Sequence, residues 1–307
     1  MTTPILVLAG ASGFIGSRLI EASLSAGYDV RRLVRSNDAE PISGVEDFQW
    51  DPADGRIDVS VFDGAYGVIC LNGAGLFSRP WTDSYKEVLW NSRIDSVRTI
   101  VDALKARTDR PEVLISGSAV GYYGADNGDQ ILTEDSPNGG GFLGELCSAW
   151  EAEANRAADV GIRTVNVRTG LVMGADGGML GILQHPYRIG LGAQLGDGSN
   201  WMPTIARDDY VRALLYLLLH DDISGPVNMT SPDPVQNKEW HQDLADHFNR
   251  PAFIRAPEFA MRLALQDFAD EAVLASQRVH PQKLLDHGFA FLAPTVPDIF
   301  NHEIPQA

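Results

Sequence analysis

Cysteine is nearly missing from this chain. Cys70 and Cys147 are its only two, they stand far apart, and neither belongs to a C-x-x-C pair. Neither a disulfide framework nor a thiolate zinc site is therefore expected, which suits a reducing compartment. Positive charge is scarce as well: Lys and Arg total 24 against 41 Asp and Glu, a formal net charge of -17. A face that binds phosphate backbones needs clustered Lys and Arg, so nucleic acid is excluded as a partner. Long apolar runs are also wanting. No segment approaches the roughly 20 residues of a membrane span. The N-terminal apolar run leads straight into glycines, with no signal-peptide pattern. The expected location is cytoplasmic. Histidine makes no metal case, because His241 and His247 fall six apart, a poor spacing for one helical face, and His280 precedes Pro281 in a loop. Their expected roles are at the surface or in capping, and no metal site is expected. The acidic run 267–271 reads as a solvated helix face.

What is plentiful is apolar content, 44% of 307 residues. That is enough for a large core, in one α/β unit or two coupled lobes. The most informative stretch is Ile5-Leu-Val-Leu-Ala-Gly10-Ala-Ser-Gly13-Phe-Ile-Gly16. A run of strand type meets three glycines spaced three apart, and an amphipathic run over 17–26 follows. In a dinucleotide-binding turn each glycine has its own task. Gly10 turns the chain sharply out of the strand. Gly13 lets backbone N–H groups approach a pyrophosphate. Gly16 lets the helix pack close to the strand, and the helix N-terminus presents N–H groups and partial positive charge to the phosphates.

Short apolar runs then alternate with helical patterns, the mark of βαβ units. Strands are expected at 29–34, 66–71, 112–116, 163–168 and 225–229. Helices are expected at about 82–107, 142–160, 208–220, 240–249 and 260–269, with glycine-rich loops around a short helix over 170–200. The reading is a Rossmann-like, doubly wound parallel sheet with a smaller C-terminal substrate lobe. The nucleotide-binding domain would take residues 1–168 with 204–230 woven back into it, and the substrate lobe 169–307.

The tip of the second strand selects the dinucleotide, since an acidic residue there binds the ribose 2′-OH of NAD and an Arg accommodates a 2′-phosphate. This strand carries Arg31 and Arg32, ends Val34-Arg35-Ser36, and has no acid before Asp38. A cluster of three arginines in an acidic chain favours NADP(H). Asn72-Gly73-Ala74-Gly75 follows a buried strand, where small residues let the backbone pass beneath a nucleotide; a plain turn is the alternative.

Together with Ile115-Ser-Gly-Ser-Ala-Val-Gly-Tyr-Tyr-Gly124, Leu132-Thr-Glu-Asp-Ser-Pro137, the stretch from Phe142 to Glu151 and Arg168-Thr-Gly-Leu-Val-Met-Gly174, these motifs resemble the extended short-chain dehydrogenase/reductases. More narrowly, the chain is similar to their atypical branch, the NAD-dependent epimerase/dehydratase-like or SulA-type "nucleoside-diphosphate-sugar epimerase" proteins. The resemblance covers essentially the whole chain. It implies NADP binding by Gly10, Ser12, Gly13, Phe14 and Ile15, by Arg35 and Ser36, by Asn72, Gly73 and Ala74, by Ser116, and by Glu87 and Arg93 of the long helix. Leu171 and Val172 would lie beneath the nicotinamide.

Typical members pair a Ser with a Tyr-x-x-x-Lys helix, ordinary general acid–base catalysis with a tuned group. Here Ser118 matches the serine, but a register set on Glu151 places Leu143 at the Tyr and Cys147 at the Lys. The standard mechanism cannot be carried over. Cys147 reads as a small apolar filler. Tyr122 and Tyr123 are the candidate proton partners, with packing as amphipathic lining the alternative. Arg79 and Trp81, with Trp201, are candidate substrate contacts that would pair an anion and stack a ring; tryptophans of the core are the alternative.

Two functions remain open on these residues. One is an NADP-dependent oxidoreductase or epimerase acting on a small polar or nucleotide-linked substrate. The other is an NADP-binding sensor or regulator that turns nothing over, which the missing Tyr and Lys favour. The expected partner is a small-molecule substrate, with neither nucleic acid nor membrane, and homodimer formation is left open.

Overall fold

The structure is a computed structural model that describes residues 3–36 and 40–304; Asp38 lies outside them. Along the chain, Ile5–Ala9 forms β1, Phe14–Ser25 α1, Asp29–Val34 β2, Val45–Asp51 β3, Arg56–Ile57 β4 and Ala65–Cys70 β5. Asp83–Lys105 is α2, Val113–Ala119 β6, Asp126–Leu132 β7, Gly141–Asn155 α3 and Arg163–Thr169 β8. Then come Leu171–Gly174 (β9), Gly178–Arg188 (α4), Ala193–Leu195 (β10), Trp201–Met202 (β11), Thr204–Ala206 (β12), Arg207–Leu219 (α5), Gly225–Met229 (β13) and Val235–Gln236 (β14). Asn237–His247 (α6), Ile254–Ala256 (β15), Glu258–Leu265 (α7), Ser276–Val279 (β16), Gln282–Asp286 (α8) and Val296–Glu303 (α9) close the chain.

One eight-stranded sheet runs β13-β8-β6-β5-β1-β2-β3-β4. β1 pairs in parallel with β2 and β5, and β5 with β6. Strands buried on both faces read as continuous apolar runs, and Leu6, Val7, Leu8, Val68, Ile69, Leu114 and Ile115 are almost wholly buried. The strand order reverses at β1, where β2 lies on one side and β5 on the other. That is the switch point at which open α/β sheets place ligands, beyond the carboxyl ends of the strands.

The chain divides into two compact units. The first comprises residues 1–118, 148–167 and 214–226, and the second 119–147, 168–213 and 227–307. This corrects the expected boundaries. Residues 119–147 belong to the second unit because β7 pairs in parallel with β16. Of 204–230 only 214–226 returns to the first, because β12 pairs with β9. The second unit has its own apolar core, built on Leu180, Tyr187, Trp240, Leu244, Val296 and Phe300.

β3 was not expected. Its sequence, Val-Glu-Asp-Phe-Gln-Trp-Asp, buries only Trp50, so it lacks the apolar signal of a strand. Charge supplies its register. Arg32 stands opposite Asp47 and Arg31 opposite Glu46. Arg32 is buried and grips Asp47 through two hydrogen bonds of 2.7 and 2.6 Å.

Candidate functional site

The glycine turn has the geometry its spacing suggests. Gly10 has φ 83°, and a Cβ there would lie 2.9 Å from the Leu71 carbonyl carbon. A Cβ on Gly16 would lie 2.3 Å from the Gly10 oxygen, so no side chain fits between helix and strand. Gly13 is the N-cap of α1, and no side chain caps that end. A groove of about 540 Å³ opens beside the turn within the first unit. Gly10, Ser12 and Gly13 line one part of it, and Leu71, Asn72, Gly73 and Ala74 another. Arg35, Asp51 and the α2 residues Val88, Asn91, Ser92 and Asp95 also line it.

Seven of the fifteen expected nucleotide contacts therefore converge on one groove, and eight do not. Phe14 and Ile15 are half-buried at the start of α1, Ser36 is exposed beside Arg35, and none of the three is in the lining. Glu87 is exposed on α2 outside the groove. Ser116 is fully buried and donates to the Gly117 carbonyl. The cluster of three arginines dissolves. Arg32 is committed to Asp47, and Arg31 donates to the carbonyls of Val61 and Asp63; only Arg35 reaches the groove. Sequence reasoning missed Asp51 and the α2 face, because a groove wall supplied by one turn of helix every three or four residues has no composition of its own.

Arg93 stands behind the turn rather than in the groove. Its guanidinium donates to the carbonyls of Ala74 and Leu89, at 3.1 and 2.9 Å. Ser92 Oγ accepts the Ala74 N–H, and Tyr85 donates to the Gly75 carbonyl. These bonds fix the turn against α2. A Cβ on Gly73 would lie 2.9 Å from the Arg93 guanidinium. The same guanidinium sits over the Trp150 ring, 5.3 Å from its centroid.

At the end of β6, Ser118 is buried and its hydroxyl donates to Glu151 Oε1 at 2.7 Å. Glu151 is itself only 7% exposed. Sequence reasoning used Glu151 to set the register of α3 and missed it as a partner; its adjacency to Trp150 was the available signal. Leu143 and Cys147 are both buried. Glu145 is exposed.

In the second unit, Tyr123 is corrected as a proton partner. It is buried, its hydroxyl donates to Asn228 Oδ1 at 2.6 Å and accepts from Arg168 at 3.0 Å. Burial pushes its pKa up to about 12, far from a group poised to titrate near neutrality. Tyr122 is half-buried under the Arg168 guanidinium, 3.5 Å from its ring centroid. Arg168 and the buried Glu134, which accepts from the Asn228 and Lys283 amides, form a polar core; both lie in motifs of the resemblance, which gave them no role. Leu171 and Val172 are half-buried on β9.

Of the expected substrate contacts, Trp81 is corrected: it is buried, and its indole N–H donates to the Leu76 carbonyl at 3.0 Å. Arg79 is exposed. Trp201 is half-buried, donates to Asp129, and lies under the Arg278 guanidinium at 4.3 Å. His241 is buried rather than at the surface and bonds Tyr187 through Nδ1. Among the described residues no helix is long and apolar enough to cross a membrane.

Comparison with known proteins places this geometry. The model of the NAD dependent epimerase/dehydratase family matches residues 6–229. The chain belongs to that family. A domain of unknown function, DUF1731, matches residues 256–303. An epimerase family protein of Mycobacterium bovis is 36% identical over 304 residues, 98% of each chain. The chloroplastic SDR39U1 homologue of Arabidopsis thaliana, also an epimerase family protein, is 33% identical over 95% of this chain and 84% of its own. Among solved structures, human epimerase family protein SDR39U1 (isoform 2) with NADPH superposes with a TM-score of 0.86 at 25% identity, covering 99% of this chain and 100% of that one. A nucleoside-diphosphate sugar epimerase from Corynebacterium glutamicum gives 0.80 at 31% identity, covering 99% of this chain and 58% of that one.

Proposed function

We propose that this epimerase/dehydratase family member is an NADP(H)-dependent oxidoreductase or epimerase of the short-chain dehydrogenase/reductase type, acting on a small polar or nucleotide-linked substrate. The observation that carries the reading is the groove at the switch point of the sheet, where Gly10 and Gly16 leave room for backbone alone. Phosphates fit that cradle, because the uncapped start of α1 faces it with main-chain N–H groups. Asn72, Gly73 and Ala74 would pass beneath the nucleotide on a turn that Ser92 and Arg93 hold still. Arg35, on the rim, suits a 2′-phosphate, and Asp51 is an acceptor suited to an amino group. The NADPH in the human SDR39U1 structure supports the same choice.

The coenzyme, when bound, supplies hydride exchange, and the protein supplies orientation and proton handling. Ser118 would hydrogen-bond the reacting oxygen. With Leu143 and Cys147 buried where Tyr and Lys are usual, a sensor that binds NADP(H) and turns nothing over is the second reading. A cytoplasmic protein with a small-molecule substrate and no nucleic-acid partner completes the proposal.

Arg35→Ala tests the coenzyme choice by calorimetry with NADPH and NADH. The expected result is a loss of about tenfold or more for NADPH, since a charge-assisted hydrogen bond contributes about 1.5–3 kcal/mol, and little change for NADH. Equal losses for both would contradict the 2′-phosphate assignment.

A further inference from the structure

Ser118 and Glu151 form a buried pair. The serine is 2% exposed, the glutamate 7%, and the Oγ to Oε1 distance is 2.7 Å with the serine donating. A hydroxyl carries one hydrogen and two lone pairs. Once that hydrogen is committed to a carboxylate, the serine has only acceptor capacity left. In the usual arrangement the serine is free to donate to a substrate carbonyl, with Tyr as the acid. Here Leu143 and Cys147 provide no such acid.

We propose that Glu151 makes Ser118 a proton acceptor, so that the group presented to the serine is a substrate hydroxyl, and the pair serves the oxidation of a secondary alcohol. The inference rests on the coenzyme reading above. As the substrate O–H bond breaks, its proton bonds to Ser118 Oγ, while the Oγ–H bond breaks and that proton bonds to Glu151 Oε1. The electron pair of the carbinol C–H bond leaves as hydride to the oxidised nicotinamide, and a carbonyl forms. The alcohol loses two electrons, the coenzyme gains them, the serine ends as it began and Glu151 ends protonated. Glu151 acts through Ser118 and is a positioning residue.

The surroundings fix this pair to the nucleotide groove. Trp150, next to Glu151, packs so tightly on the strand that a Cβ on Gly117 would lie 2.7 Å from its ring. Arg93 covers the same ring and donates to Ala74, at the edge of the groove. The carboxylate and the serine are thereby joined to the coenzyme turn through Trp150 and Arg93, and proton and hydride transfer from one substrate needs such fixed groups.

The test has two readouts. The first uses coenzyme-free protein. The infrared carboxylate band of Glu151, assigned by subtracting the Glu151→Gln spectrum, is expected to move when Ser118→Ala removes its donor. A band that does not move overturns the pair. The second uses NADP+ with a panel of secondary alcohols and UDP-glucose. Ser118→Ala and Glu151→Gln are each expected to lower kcat by about 100-fold, the lower end of the general acid–base range, with KM and coenzyme Kd nearly unchanged. The double variant is expected to be no slower than the slower single, the mark of groups acting as a unit, and Glu151→Asp to recover part of the rate. Multiplying losses overturn the pair. Thermal unfolding of Glu151→Asp separates misfolding from lost chemistry. A wild type that binds NADPH but oxidises no member of the panel overturns this inference alone; one that binds no coenzyme overturns the proposed function, and the inference with it.

Discussion

The Glu271 carboxylate accepts the N–H groups of Phe142 and Leu143 at 2.9 and 2.8 Å. Those are main-chain donors of the first turn of α3, which begins at a glycine with φ 74°. Of the acidic run 267–271, Asp267 and Asp270 are exposed, as a solvated face requires, while Phe268 and Ala269 are buried and the half-buried Glu271 serves the helix. A cap supplied from more than a hundred residues away has no local pattern, which is why sequence could not show it. Glu271→Ala is expected to lower stability by about 1 kcal/mol, as loss of an N-cap does, with a smaller loss for Glu271→Gln; thermal unfolding measures both. The same lesson applies to Arg31, Arg32 and Arg35. Three arginines in five positions look alike in sequence, yet strand alternation and the acids of β3 claim two of them. Only the third, past the end of the strand, reaches the groove.

Among the elements, those with a strong apolar period were legible and those held by partners were not. β1, β2, β5 and the long helix fall close to their expected bounds, because buried strands and an amphipathic 23-residue helix carry their own signal. β7 was missed: of its residues only Leu132 is buried, and its pairing partner β16 lies far along the chain. α6 shows a cost that periodicity hides. Burial first, and then the charges of Glu239 and Asp246, push the Asp243 carboxyl up to about 6. Its proton is held more tightly in the folded state. Its contribution to stability is therefore present below the unfolded value, about 3.9, and is lost as pH rises through about 6. Asp243→Asn is expected to gain little near pH 4 and about 1 kcal/mol near pH 7.5, after discounting for solvent screening at a partly exposed site. Unfolding temperatures at the two pH values check it, and a gain that does not grow with pH would contradict the assignment.

For the whole molecule, the glycine motif made the Rossmann-like sheet and the groove legible, because strand, turn and helix each impose a separate demand that one short stretch meets. The weaving of the chain was less so: which unit owns residues 119–147 depends on the pairing of β7 with β16, a contact spanning some 150 positions. The catalytic end was legible as a gap, in Leu143 and Cys147, while the Glu151 partner of Ser118 became visible only in three dimensions. All of these readings depend on a dinucleotide whose phosphates lie on the backbone of Gly10 to Gly13. Calorimetry of NADPH with well-folded protein, set beside Gly13→Ala, tests that most directly. A Cβ at position 13 meets only the Gly10 oxygen, at 3.3 Å, and its φ of -81° is open to any residue, so the variant is expected to fold. The account predicts saturable NADPH binding by the wild type and at least about tenfold weaker binding by Gly13→Ala, because the methyl group holds the phosphates off the backbone amides. Absence of binding to the wild type, or undiminished binding by the variant, would contradict it.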